Sequence, residues 1–281
     1  MNLFPSTKIE NLSVSRLIVG TNWFLGYSHS SKAKDRAIID HMTSEKIADI
    51  LAVFMNAGCD TLLGFRNDPK LVRGVKEAEQ RTGKKCITIS TPTLAITNIA
   101  KNMGETERIL DETAAIGTAV CMPHQCTTDA FVDRKTHSLK GIEPYIRMIR
   151  DRNMIPGLST HMPEAPVYAD ESGLDVATYI QIYNAGGFLM QIEVDWVQRM
   201  IWQAKKPVIT IKPLAAGKVP PLVGLAFSFS TIRDCDMVCI GTNTADEAAE
   251  VIELSLSILE RRAPGVELQK TRSKESLDPK R

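Results

Sequence analysis

The sequence predicts an α/β protein of the (β/α)8 barrel class, and three observations predict it. Short apolar runs rich in β-branched residues recur along the chain, each followed by turn residues and a longer helical pattern. Eight such runs can be counted, the number a closed parallel barrel needs. A length of 281 residues is long for an average domain but ordinary for such a barrel built as one unit.

The strands are expected at 16–23, 61–65, 86–90, 118–123, 155–161, 188–195, 208–213 and 237–242. The first opens on Leu17-Ile18-Val19, and the seventh is the β-branched run Val208-Ile209-Thr210-Ile211. In the sixth, Gln191, Glu193 and Asp195 alternate with Ile192 and Val194, the period-two pattern of a strand with unlike faces. Helical spacing fills the intervals at 44–57, 69–81, around 106–115, 142–152, 174–185, 196–204, 221–231 and 244–260, supplying the crossovers that parallel strands require. Residues 22–40 read as a long first loop, of the kind that serves as a lid or substrate clamp. No Pro/Gly/Ser linker divides the chain, so 1–261 is one barrel domain and 262–281 a polar tail, either loose or laid on a neighbouring subunit.

Lys plus Arg number 34 against 33 Asp plus Glu, which leaves no net field to gather nucleic acid or an anionic membrane. The expected partner is a small-molecule substrate. The segment 1–10 lacks the basic start and apolar run of a signal peptide, and no apolar stretch is long enough to span a bilayer, so the expected location is cytoplasmic. Six cysteines lie scattered in apolar segments without a CxxC pair and read as buried, reduced thiols rather than a zinc knuckle or disulfide framework. Apolar helix faces suggest a homo-oligomer.

Several segments resemble the aldo-keto reductase superfamily over nearly the whole chain. Leu17-Ile18-Val19-Gly20-Thr21-Asn22-Trp23 is similar to its first barrel strand, and Asn56-Ala57-Gly58 with Asp60-Thr61 is similar to its passage into the second. Val208 through Gly217, ending Lys212-Pro213-Leu214-Ala215-Ala216-Gly217, looks like its seventh strand and loop; Ile240-Gly241-Thr242-Asn243-Thr244 with Asp246 and Glu247 resembles its last strand and cofactor-phosphate helix. The resemblance implies an NADP cofactor and a catalytic Asp, Tyr, Lys and His, of which the Tyr protonates the substrate carbonyl as hydride arrives. Asp60 fits the Asp-Thr spacing and His124 the histidine position. Phe65 stands where the Tyr is expected, and a phenyl ring has no proton to give; Ser90-Thr91-Pro92 stands where the Lys is expected.

In a barrel, polar residues at strand C-terminal ends converge on one mouth. His124 and Gln125 end the fourth strand, His161 the fifth, Lys212 the seventh, and Thr242 and Asn243 the eighth. Gln191, Glu193 and Asp195 of the expected sixth strand share a parity, and pointing into the barrel costs less than facing the helix layer. Asp195 also reads as a cap of the next helix and Gln191 as a member of a buried network. His124, His161 and Glu193 form a ligand set for a divalent metal, two imidazoles and a carboxylate with one position open. Lys212, partly desolvated at a strand end, offers a Schiff-base nucleophile, or a salt bridge to Glu193. Asn22 and His29 of the first loop are candidates to reach the ligand. Gly241-Thr242-Asn243-Thr244 reads as a phosphate cradle or as a plain N-cap.

These residues point first to an enzyme of carbohydrate metabolism acting on a small carbonyl or sugar-like substrate by proton transfer or bond cleavage, that is, an isomerase, epimerase or lyase. Glu193, Lys212, His124 and His161 are its catalytic candidates, and a divalent metal its possible cofactor. The alternatives are an NADP-dependent, aldo-keto reductase-like oxidoreductase and a non-catalytic ligand-binding barrel.

Overall fold

In a computed structural model, which describes residues 3–96, 99–267 and 274, the chain opens with an antiparallel hairpin, β1 (Ser6–Ile9) and β2 (Leu12–Ser15). Ile9 and Val14 of the hairpin pack with Ile18, Ile89, Val120, Ile180, Ile209 and Met237 in one apolar cluster. Because β3 (Leu17–Gly20) starts directly after the hairpin, the hairpin stoppers the N-terminal end of the barrel whose lumen that cluster fills.

The remaining barrel strands are β4 (Thr61–Leu63), β5 (Ile87–Ser90), β6 (Val120–Cys121), β9 (Ile155–Pro156), β10 (Leu158–Ser159), β11 (Tyr179–Ile182), β12 (Val208–Ile211) and β13 (Met237–Ile240). A small antiparallel pair, β7 (Val132–Asp133) and β8 (Ser138–Leu139), lies on the connection after β6. The parallel order is β10-β11-β12-β13-β3-β4-β5-β6-β9. β9 pairs with β6 and β10 with β11, so the two halves of one strand occupy the fifth position and close the ring. Gly157 joins them at a place where a side chain does not fit: a Cβ there would lie 2.8 Å from both Met122 Cε and the Thr178 carbonyl.

Around the ring run α1 (Asn22–Leu25), α2 (Lys32–His41), α3 (Ser44–Asn56), α4 (Pro69–Thr82), α5 (Ile99–Ala115), α6 (Gln125–Thr128), α7 (Glu143–Arg150), α8 (Ala165–Glu171), α9 (Val194–Gln203), α10 (Pro221–Thr231) and α11 (Ala245–Leu259). Local chemistry sets their ends. In α4, Pro69 occupies the first turn, the Asp68 carboxylate accepts from Lys70 N and Leu71 N, and Gly83 stops the helix in the left-handed conformation. Strand alternation divides the core: Ile18 faces the lumen, while Leu17 and Val19 pack outward with Ile47, Leu51 and Phe54.

Two expectations are corrected. The sixth barrel strand is Tyr179–Ile182, inside the segment expected to be a helix, and 188–195 is a turn leading into α9. Tyr179, Ile180, Gln181 and Ile182 are all buried, so the strand lacks the alternation that marks a half-exposed one. Its register is fixed by Tyr179 opposite Val208 and Ile182 opposite Ile211. The long first loop is largely helical, holding α1 and α2. No helix among the described residues is long and apolar enough to cross a membrane.

At the N-terminal ends of the last strands sits a saturated polar cluster. Asp236, fully buried, accepts from Val208 N at 2.8 Å and pairs with the Arg233 guanidinium at 2.7 Å, and Arg16 Nε donates to its backbone carbonyl at 3.0 Å. Asp170 accepts from Tyr179 Oη and Lys206 Nζ, both at 2.7 Å.

Candidate active site

At the opposite end, the C-terminal ends of the strands surround an open cavity of about 1070 Å³. It brings together Asn22, His29, Gln125, Thr242 and Asn243 with His124, His161 and Lys212. Three residues nominated from sequence do not join them. Gln191, Glu193 and Asp195 are exposed and line no part of the cavity, because the strand that was to carry them is a turn and the start of α9. Glu193 is the residue before α9 and makes no side-chain cap.

The proposed metal set therefore fails. His124 and His161 share the cavity but their carboxylate is elsewhere, and among the described residues no three His, Cys, Asp or Glu side chains are placed to hold an ion. Asp60 is likewise misplaced for the tetrad implied by the resemblance. Its carbonyl accepts from Ile87 N at 2.8 Å at the N-terminal start of β4, and the residues of that segment reaching the mouth are Leu63, Gly64 and Phe65.

Lys212 is the centre of what remains. It follows β12 directly, with a left-handed backbone (φ 64°), as have Ala215 (φ 49°) and Ala216 (φ 58°) in the same turn. Burial lowers the pKa of its ammonium from the ordinary lysine value, and among the described residues no carboxylate pairs with it.

Lys212 Nζ lies 3.0 Å from His29 Nε2. His29 Nδ1 lies 3.0 Å from the Tyr27 carbonyl, an acceptor only, so Nδ1 carries the proton and Nε2 presents a lone pair to the lysine. Burial and then Lys212 lower the His29 pKa, and the same causes lower that of His124. For His161 burial leads, followed by Lys212 and the other two histidines, and its pKa falls to about 4. At neutral pH the mouth thus holds imidazoles rather than imidazoliums.

Further contacts anchor the segments that carry His161 and His124. Asp129 accepts from His161 N at 3.2 Å and from the Thr160 hydroxyl, anchoring the backbone at the end of the fifth strand. His124 precedes α6, and its Nδ1 lies 3.0 Å from Cys126 Sγ. Cys126 is exposed, unlike Cys59, Cys121 and Cys239; all six thiols are free. Asn184, fully buried, clamps Phe188 with a bond in each direction at 2.9 and 3.0 Å, setting that ring into the cavity wall. Asp129 escapes sequence reasoning because it acts on a backbone group 32 residues away, and Asn184 because its segment, 174–185, reads as a helix. Tyr27, Lys34 and Arg66 also line the mouth and were not nominated, although Tyr27 and Lys34 lie in the long first loop and Arg66 sits one residue beyond the expected second strand.

The last strand leads to the position at which the resemblance places cofactor phosphates. There the Glu247 carboxylate accepts from Asn243 N at 2.7 Å, and Thr244 Oγ1 accepts from Glu247 N at 3.1 Å. Glu247 and Glu250 line the same wall. An incoming phosphate meets two carboxylates and an N–H already taken, so the N-cap reading holds and these residues do not fit a dinucleotide's phosphates. The Thr242 Oγ1 and Asn243 Oδ1 atoms nearby are buried without a partner.

No family model matches the sequence, and no curated protein matches it. Solved structures do. A Pseudomonas aeruginosa protein described as an aldo-keto reductase superposes with a TM-score of 0.63 at 15% identity, over 91% of this chain and 94% of its own. An aldo-keto reductase from Klebsiella pneumoniae, solved in complex with NADPH, gives 0.55 at 13% identity over 94% and 91%. A truncated 3-deoxy-D-arabino-heptulosonate 7-phosphate synthase from Thermotoga maritima gives 0.56 at 8% identity over 92% and 93%. In fold, this chain is an α/β barrel similar to those of aldo-keto reductases.

Proposed function

We propose that the chain is an enzyme that binds a small carbonyl or sugar-like compound as an imine on Lys212 and then moves a proton or breaks a bond next to that carbon, an isomerase, epimerase or lyase. One observation carries the reading: a desolvated amine without a carboxylate partner faces the lone pair of a neutral imidazole at 3.0 Å. Burial disfavours the Lys212 ammonium, and the His29 lone pair accepts a hydrogen bond from its nitrogen; the amine that results when the proton passes to solvent is the nucleophile. The nitrogen lone pair forms a bond to the carbonyl carbon, and the oxygen leaves as water after taking two protons. The resulting iminium withdraws the electron pair of an adjacent C–H or C–C bond. His124 and His161, neutral and lining the same cavity, are the groups available to accept or return that proton.

The test is reductive trapping. Incubation with glyceraldehyde or pyruvate and borohydride is expected to add one reduced adduct per chain, at Lys212, in peptide mass spectra. Labelling no greater than in Lys212→Met sinks the reading.

A second reading, an NADP-dependent oxidoreductase, is supported by the likeness to the Klebsiella pneumoniae barrel solved with NADPH. Phe65 and the Glu247 cap weigh against it. Quenching or enhancement of NADPH fluorescence on titration separates the two, and a non-catalytic binding barrel predicts ligand binding with neither response.

A further inference from the structure

The mouth is lined by charges of both signs. Glu247 and Glu250 line the wall of the eighth strand, whereas Lys34 and Arg66 stand on the side of the first and second strands. No described carboxylate makes an ion pair with either cation. Each is instead poised over an aromatic ring. The Arg66 guanidinium lies 5.3 Å from the Tyr27 centroid and its Nη1 donates to Tyr27 Oη at 3.0 Å; Lys34 Nζ lies 5.4 Å from the Trp23 centroid. Both side chains are exposed, so their charges face the opening rather than the core.

Arg66 is also tied to the amine. Arg66 to Tyr27 Oη, the Tyr27 carbonyl to His29 Nδ1, and His29 Nε2 to Lys212 Nζ are three contacts of 3.0 Å each that run across the mouth. One tyrosine therefore positions both the permanent cation at the rim and the imidazole at the nucleophile.

We propose that the substrate is an anionic carbonyl compound, its carbonyl at Lys212 and a terminal phosphate or carboxylate at Arg66 and Lys34. This rests on the imine reading above and names its substrate class. A planar guanidinium offers two parallel donors and the ammonium a point charge, the pairing that suits an oxyanion with several oxygens. A cavity of about 1070 Å³ leaves room for several carbons between the two ends.

The test compares three aldehydes, glyceraldehyde, glyceraldehyde 3-phosphate and succinic semialdehyde, each trapped with borohydride and read as Lys212 labelling against concentration. The anionic probes are expected to half-saturate at least about tenfold lower than the neutral one, a difference of about 1.4 kcal/mol. Combining Arg66→Gln with Lys34→Gln should erase that advantage, and the order of the two anionic probes tells phosphate from carboxylate. Equal half-saturation by all three, or an advantage that survives the double variant, overturns the proposal. Titration of inorganic phosphate followed by its phosphorus resonance gives a readout independent of the imine. Broadening in the native chain, lost in the double variant, supports the anion site even if no aldehyde labels Lys212; no broadening in a chain that does label removes the anion site and leaves the imine standing.

Discussion

The two ends of the barrel treat charge in opposite ways. At the N-terminal end, Asp236 and Asp170 are buried and each meets a cation and further donors, so charge there is matched group by group. At the C-terminal end, Lys212 and three histidines share a cavity with no carboxylate paired to the lysine. A matched cluster locks strands in register, while an unmatched one keeps a reactive amine at the cost of some stability. The contrast teaches where to look for function: in the polar groups that the fold leaves unsatisfied.

The largest expected effect separates the ends directly. Lys212→Met should abolish trapping and lower turnover of carbonyl substrates by about a thousandfold or more, yet leave the melting temperature unchanged or higher, since a desolvated amine is removed. A clear loss of stability would make Lys212 a structural residue and dissolve the contrast. At the other end, Asp236→Ala should destabilise the fold by about 3–5 kcal/mol, read by urea unfolding, because it strands Arg233 and two backbone donors.

Acid should act on the mouth through His161. His161 has its pKa lowered from 6.5 to about 4, so the unfolded chain binds the proton more readily than the folded one. Stability attributable to this group is complete above about pH 6.5 and declines as pH falls towards 4. Unfolding of native and His161→Gln protein across that interval should show a shallower decline in the variant; parallel curves would remove His161 from the account. Smallest of all is Glu193→Ala, for which stability should stay within about 0.5 kcal/mol. Its trapping should match the native chain, as an exposed residue outside the cavity requires.

Seven of the eight barrel positions were legible because short β-branched runs such as Val208–Ile211 stand out against helical spacing. The sixth was not, because Tyr179–Ile182 is buried on both faces and its flanks suit a helix, whereas the polar alternation of 188–195 imitates a strand. That one exchange also displaced Glu193 and with it the metal set. His124, His161, Lys212, His29 and Asn22 were found because strand ends and long first loops point to the mouth whatever the chemistry. The His29 contact with Lys212 was not legible, since 183 residues separate the two and a left-handed histidine (φ 57°) sets the reach.

The left-handed backbone at Lys212 carries a consequence for descent. A β-branched side chain is barred from that conformation, and glycine or asparagine adopts it with least strain. A lineage that ceased to need the amine would be drawn to Gly or Asn at this position, and retention of Lys against that drift would record continued selection on the nitrogen itself.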